Sequence, residues 1–377
     1  MRASSWTIAG PALQPDGTIA HRRLTIADGF IQQIDRSEPV DSTVDDGAFI
    51  APGLIDLQIN GAFGFDFGSD PCSIKHVATQ LPTTGVTAFT PTVITGSAAQ
   101  RLKADHALEE PLNGAVPLGI HLEGPTISPA MRGTHSVDGI MSADDLANEL
   151  RALRNVAIVT YAPELDPDFR LLDLLRSRGI VPALGHSAAT YAQAAAAFNR
   201  GAGMATHLFN AMAGLHHREP GLVGAVLDHT DAVGSVIADG THLHDATLRL
   251  LWRLLGPADR MLVVSDAIAA AGLGDGRYSL GDVAVEVVDG VAANDSGALA
   301  GSAVLLLDAL AALAAAVERP LSQVWAAGSQ VPAEVMSDST RGVLRVGCRA
   351  DLVVVTAAGD CLRTVIGGDV VHDASGA

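Results

Sequence analysis

Lysine is almost missing from this chain: Lys75 and Lys103 are the only two in 377 residues. The 24 Lys and Arg residues face 42 Asp and Glu, for a formal net charge of −18. That balance argues against nucleic acid and anionic membrane as partners. It does not exclude a small anionic substrate, because one pocket can be locally basic. Cysteine is scarce as well. Cys72, Cys348 and Cys361 are too few and too scattered for a disulfide framework or a Cys-based zinc site, which makes a reducing cytoplasm the expected setting. No uninterrupted apolar stretch reaches the ~18 residues of a membrane span. The nearest approach, Ala303 to Val317, is broken by Asp308 and reads as a packed helix. The opening MRASSWTIAGPALQPDG has no signal-peptide core, so export is not expected.

What is present is core material. Hydrophobic residues make up 48% of the chain and charged ones 18%. The first fifty residues are short β-like pieces (WTIAG, RLTIADGFIQQID, GAFIAPG) separated by Pro, Gly and Asp turns. From Gly53 the texture changes to strand signals, LIDLQI, VTAFTPTVI, VPLGIHLE, VAIVTYAPE, IVPALG, GMATH, AVGSVIAD and MLVVSD. Helical stretches such as ADDLANELRALR, TYAQAAAAFNRG and DATLRLLWRLL lie between most of them. Apolar runs bounded by turn signals read as buried parallel strands, and alternation with helices favours a closed barrel over an open sheet. After Asp266 the rhythm breaks, and YSLGDVAVEVVDGVAA reads as a β-hairpin insertion. The tail DLVVVTAAGDCLRTVIGGDVVHD returns to short strands. The expected fold is α/β: a (β/α)8 TIM-like barrel over 52–338, with a small β-sandwich domain formed by 1–51 and 339–377.

Four of the strand runs end on chemical groups, at Glu123, His186, His207 and Asp266. A lone Glu is more often a solvated loop acid, a lone His more often structural, and Asp266 by itself could cap the next turn. Together, at the C-terminal ends of barrel strands, one carboxylate and two imidazoles suit a catalytic zinc-type ion that keeps a position open for water. Asp266 is then placed as a general base. His135, in the Gly-containing loop after Glu123, could polarise a substrate carbonyl. In LIDLQIN, period-two alternation puts Asp56, Gln58 and Asn60 on one face. Neutral Gln58 and Asn60 are poor ligands, there is no His-x-His here, and neither lysine lies at a strand end. One metal, rather than a bridged pair, is expected. Ser187 and Thr190 are available to cap the helix after His186, and His244 to start the one after DGTHLHD. In GLHHREPG, beside His216 and His217, Arg218 offers a fork for phosphate or carboxylate, unless it is a surface arginine paired with Glu219. Asn210 and Ala211 could present an amide and a backbone N–H to an anion. DGTHLHD, which opens on Asp239, adds His242 near the same mouth.

The set HLEGP, RGTH, GHS, THLFNAM, REPG, DGTH, SDA and LAGS, in this order from PGLIDLQINGAFG to RVGCRADLVVV, closely resembles the N-acetylglucosamine-6-phosphate deacetylases of the amidohydrolase superfamily. The resemblance covers essentially the whole chain. It implies that Glu123, His186 and His207 hold one divalent metal per subunit, zinc first with iron, manganese and cobalt as alternatives, and that Asp266 is the acid/base. It implies that Gln58 touches the metal site through water, that His135 meets the acetyl carbonyl and that Thr134 lies by the sugar. Asn210, Ala211, Arg218 and His242 would bind substrate, chiefly its 6-phosphate, with Asp239 in the same group, and the Leu299-Ala300-Gly301 turn would line the sugar pocket. Arg218 would reach the active site of a neighbouring subunit, which implies a homodimer. Two departures stand out: Arg132 replaces a lysine common in the family, and SDAIAAAG differs from the usual TDA-x-x-PAG. The alternatives are an amidohydrolase of another N-acyl substrate (N-acetylgalactosamine 6-phosphate, an unphosphorylated amino sugar or an N-acyl amino acid) and an inactive barrel scaffold.

Overall fold

The computed structural model describes residues 5–39, 43–44 and 47–374. Eight parallel strands form its centre: β1 (Leu54–Ile59), β2 (Val86–Ile94), β3 (Ile120–Glu123), β4 (Val156–Tyr161), β5 (Val181–Leu184), β6 (Met204–Ala205), β7 (Val233–Val236) and β8 (Met261–Val263). They are neighbours in sequence order from β1 to β8. Strands buried on both faces read as continuous apolar runs, which is why these segments carry so few charges. The sheet closes just past β8. Ile59 bridges Ala267 in parallel, Asp266 N–H donates to Gln58 O at 2.8 Å, and Asn60 N–H donates to Ala267 O at 2.7 Å. The run VPLGIHLE is not one strand but two pieces, Val116–Pro117 and β3. The break comes at Gly119, whose φ is +113° and where a Cβ would lie 2.7 Å from the Ala157 side chain.

Helices cover the outside. Asp245–Leu255 buries Leu248, Leu251 and Leu255 on one stripe, the spacing of an amphipathic helix. His244 caps it, accepting from Ala246 N–H. Helix Tyr191–Arg200 starts on a capping box between Thr190 and Gln193. Ser187 takes no part in that cap. Its hydroxyl donates instead to Glu164 Oε2 at 2.7 Å, and it stands too far ahead of the helix to reach it.

The terminal segments interlock in one seven-stranded sheet, in the order Asp369–Asp373, Cys361–Ile366, Leu352–Thr356, Ala48–Pro52, Trp6–Leu13, Ile19–Ala27, Phe30–Arg36. The sheet curls until its halves meet. Phe30 bridges Arg349, Trp6 Nε1 donates to Gly368 O at 2.9 Å, and Ile8, Leu24, Ile26, Ile50, Leu352 and Val365 share one sandwich-like core. The insertion after β8 has one strand more than a hairpin. Gly276–Leu280, Val283–Val288 and Val291–Asn294 form an antiparallel meander, whose second turn has Asp289 and Gly290 at positive φ with both N–H groups on the Asp275 carboxylate.

Trp325 joins the barrel to the seven-stranded sheet. It is fully buried, donates from Nε1 to Pro52 O at 2.9 Å, and stands edge-on to Phe49 with ring centroids 5.9 Å apart. Trp325→Ala should destabilise the fold by about 3–5 kcal/mol, and Trp325→Phe by less. The urea unfolding midpoints of the two variants measure this; a midpoint unchanged in Trp325→Ala would mean the junction does not depend on the ring.

Candidate metal centre and active site

The four chemical groups meet at the C-terminal mouth of the barrel. Glu123 is the last residue of β3, and His186, His207 and Asp266 lie just past the ends of β5, β6 and β8. At these three the backbone turns into the left-handed region, with φ of 48°, 31° and 47°. Such conformations cost non-glycine residues about 1–3 kcal/mol each and persist only where their surroundings impose them. Here the turn swings each side chain inward over the barrel axis. Glu123 Oε1 lies 3.0 Å from His186 Nε2 and 2.9 Å from His207 Nε2, and the two Nε2 atoms are 3.1 Å apart. All three side chains are buried.

This donor set fits a divalent ion. His186 Nδ1 faces Met131 O at 3.1 Å. A carbonyl only accepts, so the ring hydrogen sits on Nδ1 and Nε2 presents its lone pair inward. Three lone-pair atoms at this spacing repel one another unless a proton or a cation lies among them. Bonds of about 2.0–2.2 Å to one ion would put such donors about 3.0–3.5 Å apart. Burial alone would raise the Glu123 carboxyl, but its close contacts with His186 and His207 outweigh it and hold the group well below its ordinary range, so it stays anionic.

Gln58, on the inward face of β1, and Asn60, just past its end, complete the centre. Gln58 Nε2 donates directly to Glu123 Oε1 at 3.0 Å and to Asp266 Oδ1 at 3.1 Å. Asn60 Nδ2 donates to the same Asp266 oxygen at 2.7 Å. Burial, together with the charge of Glu123, raises the Asp266 carboxyl to about 8. His135 is buried with its Nδ1 2.9 Å from Thr95 Oγ1 and its Nε2 3.9 Å from Glu123 Oε2. Burial, then the neighbouring His186, lowers it to about 3, so the ring is neutral at working pH.

A cavity of about 290 Å³ opens over these groups. Thr134, Asn210, Ala211, His242, Leu299 and Gly301 line it beside Asn60, Glu123, His135, His186, His207 and Asp266. Ala300 points away, into the core of the meander, because successive residues of that extended turn face opposite sides. Asp239 sits behind His242, with Oδ2 2.7 Å from its Nδ1 and Oδ1 accepting from the N–H groups of Thr241 and His242. Arg218 is exposed, its Nη1 2.7 Å from His217 Nε2, and it does not line this chain's cavity. No Lys or Arg does, among the described residues.

Three supporting residues have no signature in the sequence. Thr95 contacts His135, Ser235 Oγ accepts from His207 N–H at 2.7 Å, and His121 lies below Glu123. His121 Nδ1 is 2.9 Å from Leu57 O and its Nε2 2.7 Å from Thr160 Oγ1, which is 2.7 Å from Thr206 Oγ1. Burial lowers His121 to about 4, so this floor is a neutral hydrogen-bonded chain tying β1, β3 and β4 to the residue before His207. Only cross-strand register brings these groups together.

Asp56, two residues before Gln58 in β1, is buried and accepts from Ser265 N–H at 3.2 Å and Gln58 N–H at 3.3 Å. Burial raises its carboxyl from 3.8 to about 6. The native state therefore keeps this proton to higher pH than the unfolded chain does. Its contribution to stability is present below about pH 4 and lost as pH rises through about 6, on the order of 2–3 kcal/mol in all. Asp56→Asn, neutral throughout, should gain stability over the wild type at pH 7.5 and little at pH 4.5, read from denaturation midpoints. An equal difference at both pH values would show that the carboxyl titrates normally.

The profile of the amidohydrolase family matches residues 49–371. The N-acetylglucosamine-6-phosphate deacetylase of Rattus norvegicus is 37% identical over 352 residues, 87% of this chain and 84% of that protein. The Vibrio furnissii deacetylase of the same name is 34% identical over 338 residues, covering 86% and 84%. Among solved structures, the N-acetylglucosamine-6-phosphate deacetylase of Thermotoga maritima superposes with a TM-score of 0.88 at 29% identity, over 98% of this chain and 100% of that one. A mutant of the Mycobacterium smegmatis deacetylase, in complex with N-acetyl-D-glucosamine-6-phosphate, gives 0.88 at 28% identity over 98% and 99%. A β-aspartyl dipeptidase of Fervidobacterium islandicum, 13% identical with a TM-score of 0.60, shares the fold alone.

Proposed function

The chain belongs to the amidohydrolase family, and from that premise we propose that it hydrolyses the acetamide of N-acetylglucosamine 6-phosphate to glucosamine 6-phosphate and acetate. The observation that carries this reading is the Glu123–His186–His207 donor cluster beside Asp266, in a chain 37% identical to a deacetylase of that substrate. The assembled donor set also disfavours an inactive scaffold, which has no use for three buried lone pairs aimed at one point.

Glu123, His186 and His207 would hold one divalent ion, zinc first, which when bound polarises the acetyl carbonyl and brings the pKa of a bound water toward about 7. Asp266 accepts the proton of the attacking water. Both amide donors, Gln58 and Asn60, fall on its Oδ1, which leaves Oδ2 to carry that proton. His135 donates a hydrogen bond to the carbonyl oxygen as negative charge builds there. Asp266 then returns the proton to the sugar nitrogen as the C–N bond breaks. His242, Asn210 and the Ala211 N–H bind the substrate, with Asp239 orienting His242, while Thr134, Leu299 and Gly301 flank the sugar. The 6-phosphate still needs a cation, and Arg218 of a second copy supplies it in a homodimer. No helix among the described residues is long and apolar enough to cross a membrane, in keeping with a cytoplasmic enzyme of amino-sugar metabolism.

Asp266→Asn should lower kcat by about 10²–10⁴-fold while metal content per subunit stays at the wild-type value; near-normal turnover would remove Asp266 from the proton-transfer role. The absence of Lys and Arg from this chain's own cavity favours a second reading, an unphosphorylated N-acyl substrate. Arg218→Ala separates the two. For the phosphosugar it should raise KM about 30–100-fold, the value of one charged hydrogen-bonded contact, and leave KM for N-acetylglucosamine nearly unchanged. Equal effects on both substrates would take phosphate recognition away from Arg218.

A further inference from the structure

An imidazole can donate from either ring nitrogen, and only Nε2 of His135 faces the reaction. We infer that Thr95 is a positioning residue that fixes His135 as the Nε2–H tautomer and aims that N–H at the acetyl carbonyl. The carbonyl in this statement rests on the deacetylase reading above; the tautomer rests on contacts within the chain.

Thr95 directly follows β2. Glu123 pairs with Ile94 across the β2–β3 ladder, so Thr95 stands one step further on, level with Gly124. Its backbone N–H, which can only donate, points at His135 Nδ1 at 3.4 Å. Its Oγ1 lies 2.9 Å from the same nitrogen. A ring nitrogen that receives a backbone N–H must present a lone pair, so the ring hydrogen is on Nε2. The other side of the ring agrees. Nε2 faces Glu123 Oε2 at 3.9 Å, and an N–H directed at a carboxylate is attractive where a second lone pair would repel.

Thr95 is itself held tightly. It is buried, and glycines stand on two sides of its side chain. A Cβ at Gly124 would come within 2.4 Å of Thr95 Oγ1, and one at Gly139 within 2.8 Å of its Cγ2. The hydroxyl therefore has little room to turn away from the imidazole. The backbone of His135 is clamped as well: its N–H donates to Arg132 O at 3.1 Å, and Arg132 Nη1 donates to His135 O at 2.7 Å. Ring and partner thus sit on two loops that meet over the strand end that carries Glu123. The glycine in the Glu-Gly-Pro sequence thereby acquires a role: it leaves space for the hydroxyl that sets the tautomer.

Two measurements test this on zinc-loaded full-length protein. The first is 15N NMR of histidine-labelled wild type, with His135→Asn to identify the signal; Nε2 should carry the hydrogen, and a protonated Nδ1 overturns the inference. The second compares Thr95→Val with Thr95→Ser on N-acetylglucosamine 6-phosphate. Losing a whole oxyanion donor costs about 10²–10³ in kcat, so loosening one should cost about 10–100-fold. Thr95→Val should show that fall with KM within about threefold, and Thr95→Ser should restore kcat, a split that loss of uniform binding would not give. A kcat for Thr95→Val within about twofold of wild type, or a fall that serine does not restore, also overturns it. Wild-type protein with no deacetylation of this substrate would count against the deacetylase reading instead, and the nitrogen shifts would still decide the tautomer.

Discussion

One crowded point governs this molecule: a carboxylate oxygen and two imidazole nitrogens, all about 3 Å apart and all buried. Left to themselves these atoms would separate or move toward water. They stay because each sits at, or two residues past, the end of a strand fixed on both sides by parallel neighbours. The left-handed turns at His186, His207 and Asp266 convert the outward run of a strand into an inward reach. The strain they hold is maintained by the neighbours that bind these backbones, Ser235 on the His207 N–H and Gln58 on that of Asp266.

Below and beside that point, neutrality is kept with equal care. His121 and His135 are both uncharged at working pH because burial makes their protonated forms costly. Each then has one donating and one accepting nitrogen, and the surrounding carbonyls and hydroxyls fit that division. Glu123 is held as the anion, and its charge together with burial raises the carboxyl of Asp266, as burial raises the deeper carboxyl of Asp56. The seam between β8 and β1 matters chemically as well as mechanically. The peptide of Asp266 hydrogen-bonds to Gln58, while the side chains of Gln58 and Asn60 orient the Asp266 carboxyl, so closing the barrel and aiming its base are one event.

Much of this was legible in the chain. The strands announce themselves as apolar runs because both faces are buried, and four of them end on groups that have no reason to sit at the edge of a core. Thr190 and His244 read correctly as helix starts because a capping side chain acts within three residues of itself. What failed to show was long-range. Thr95 matters only through His135, Asp56 through Ser265, and His121 through Thr160, each a partner far away in sequence that the folded barrel brings near. Ser187 looked like a cap and is taken by Glu164. The segment read as a hairpin became a meander because the Asp289–Gly290 turn, held by Asp275, sits inside what looked like one strand. Ala300 joined a pocket-lining turn in sequence but faces the meander core, a matter of side-chain alternation that no motif records.

The interlocked terminal sheet carries a consequence for how the chain is made. Strand Ala48–Pro52 lies between Trp6–Leu13 and Leu352–Thr356, so one of its edges waits for a strand that leaves the ribosome only after the entire barrel. Until then a row of backbone donors and acceptors at 48–52 is uncovered, next to the strand that begins the barrel. Pairings between segments so far apart are slow to form, and an open strand edge on an unfinished chain invites association with other chains. Yield in the cell should therefore be governed by how quickly synthesis passes from residue 52 to residue 356, and codon usage along that stretch becomes a property of the fold.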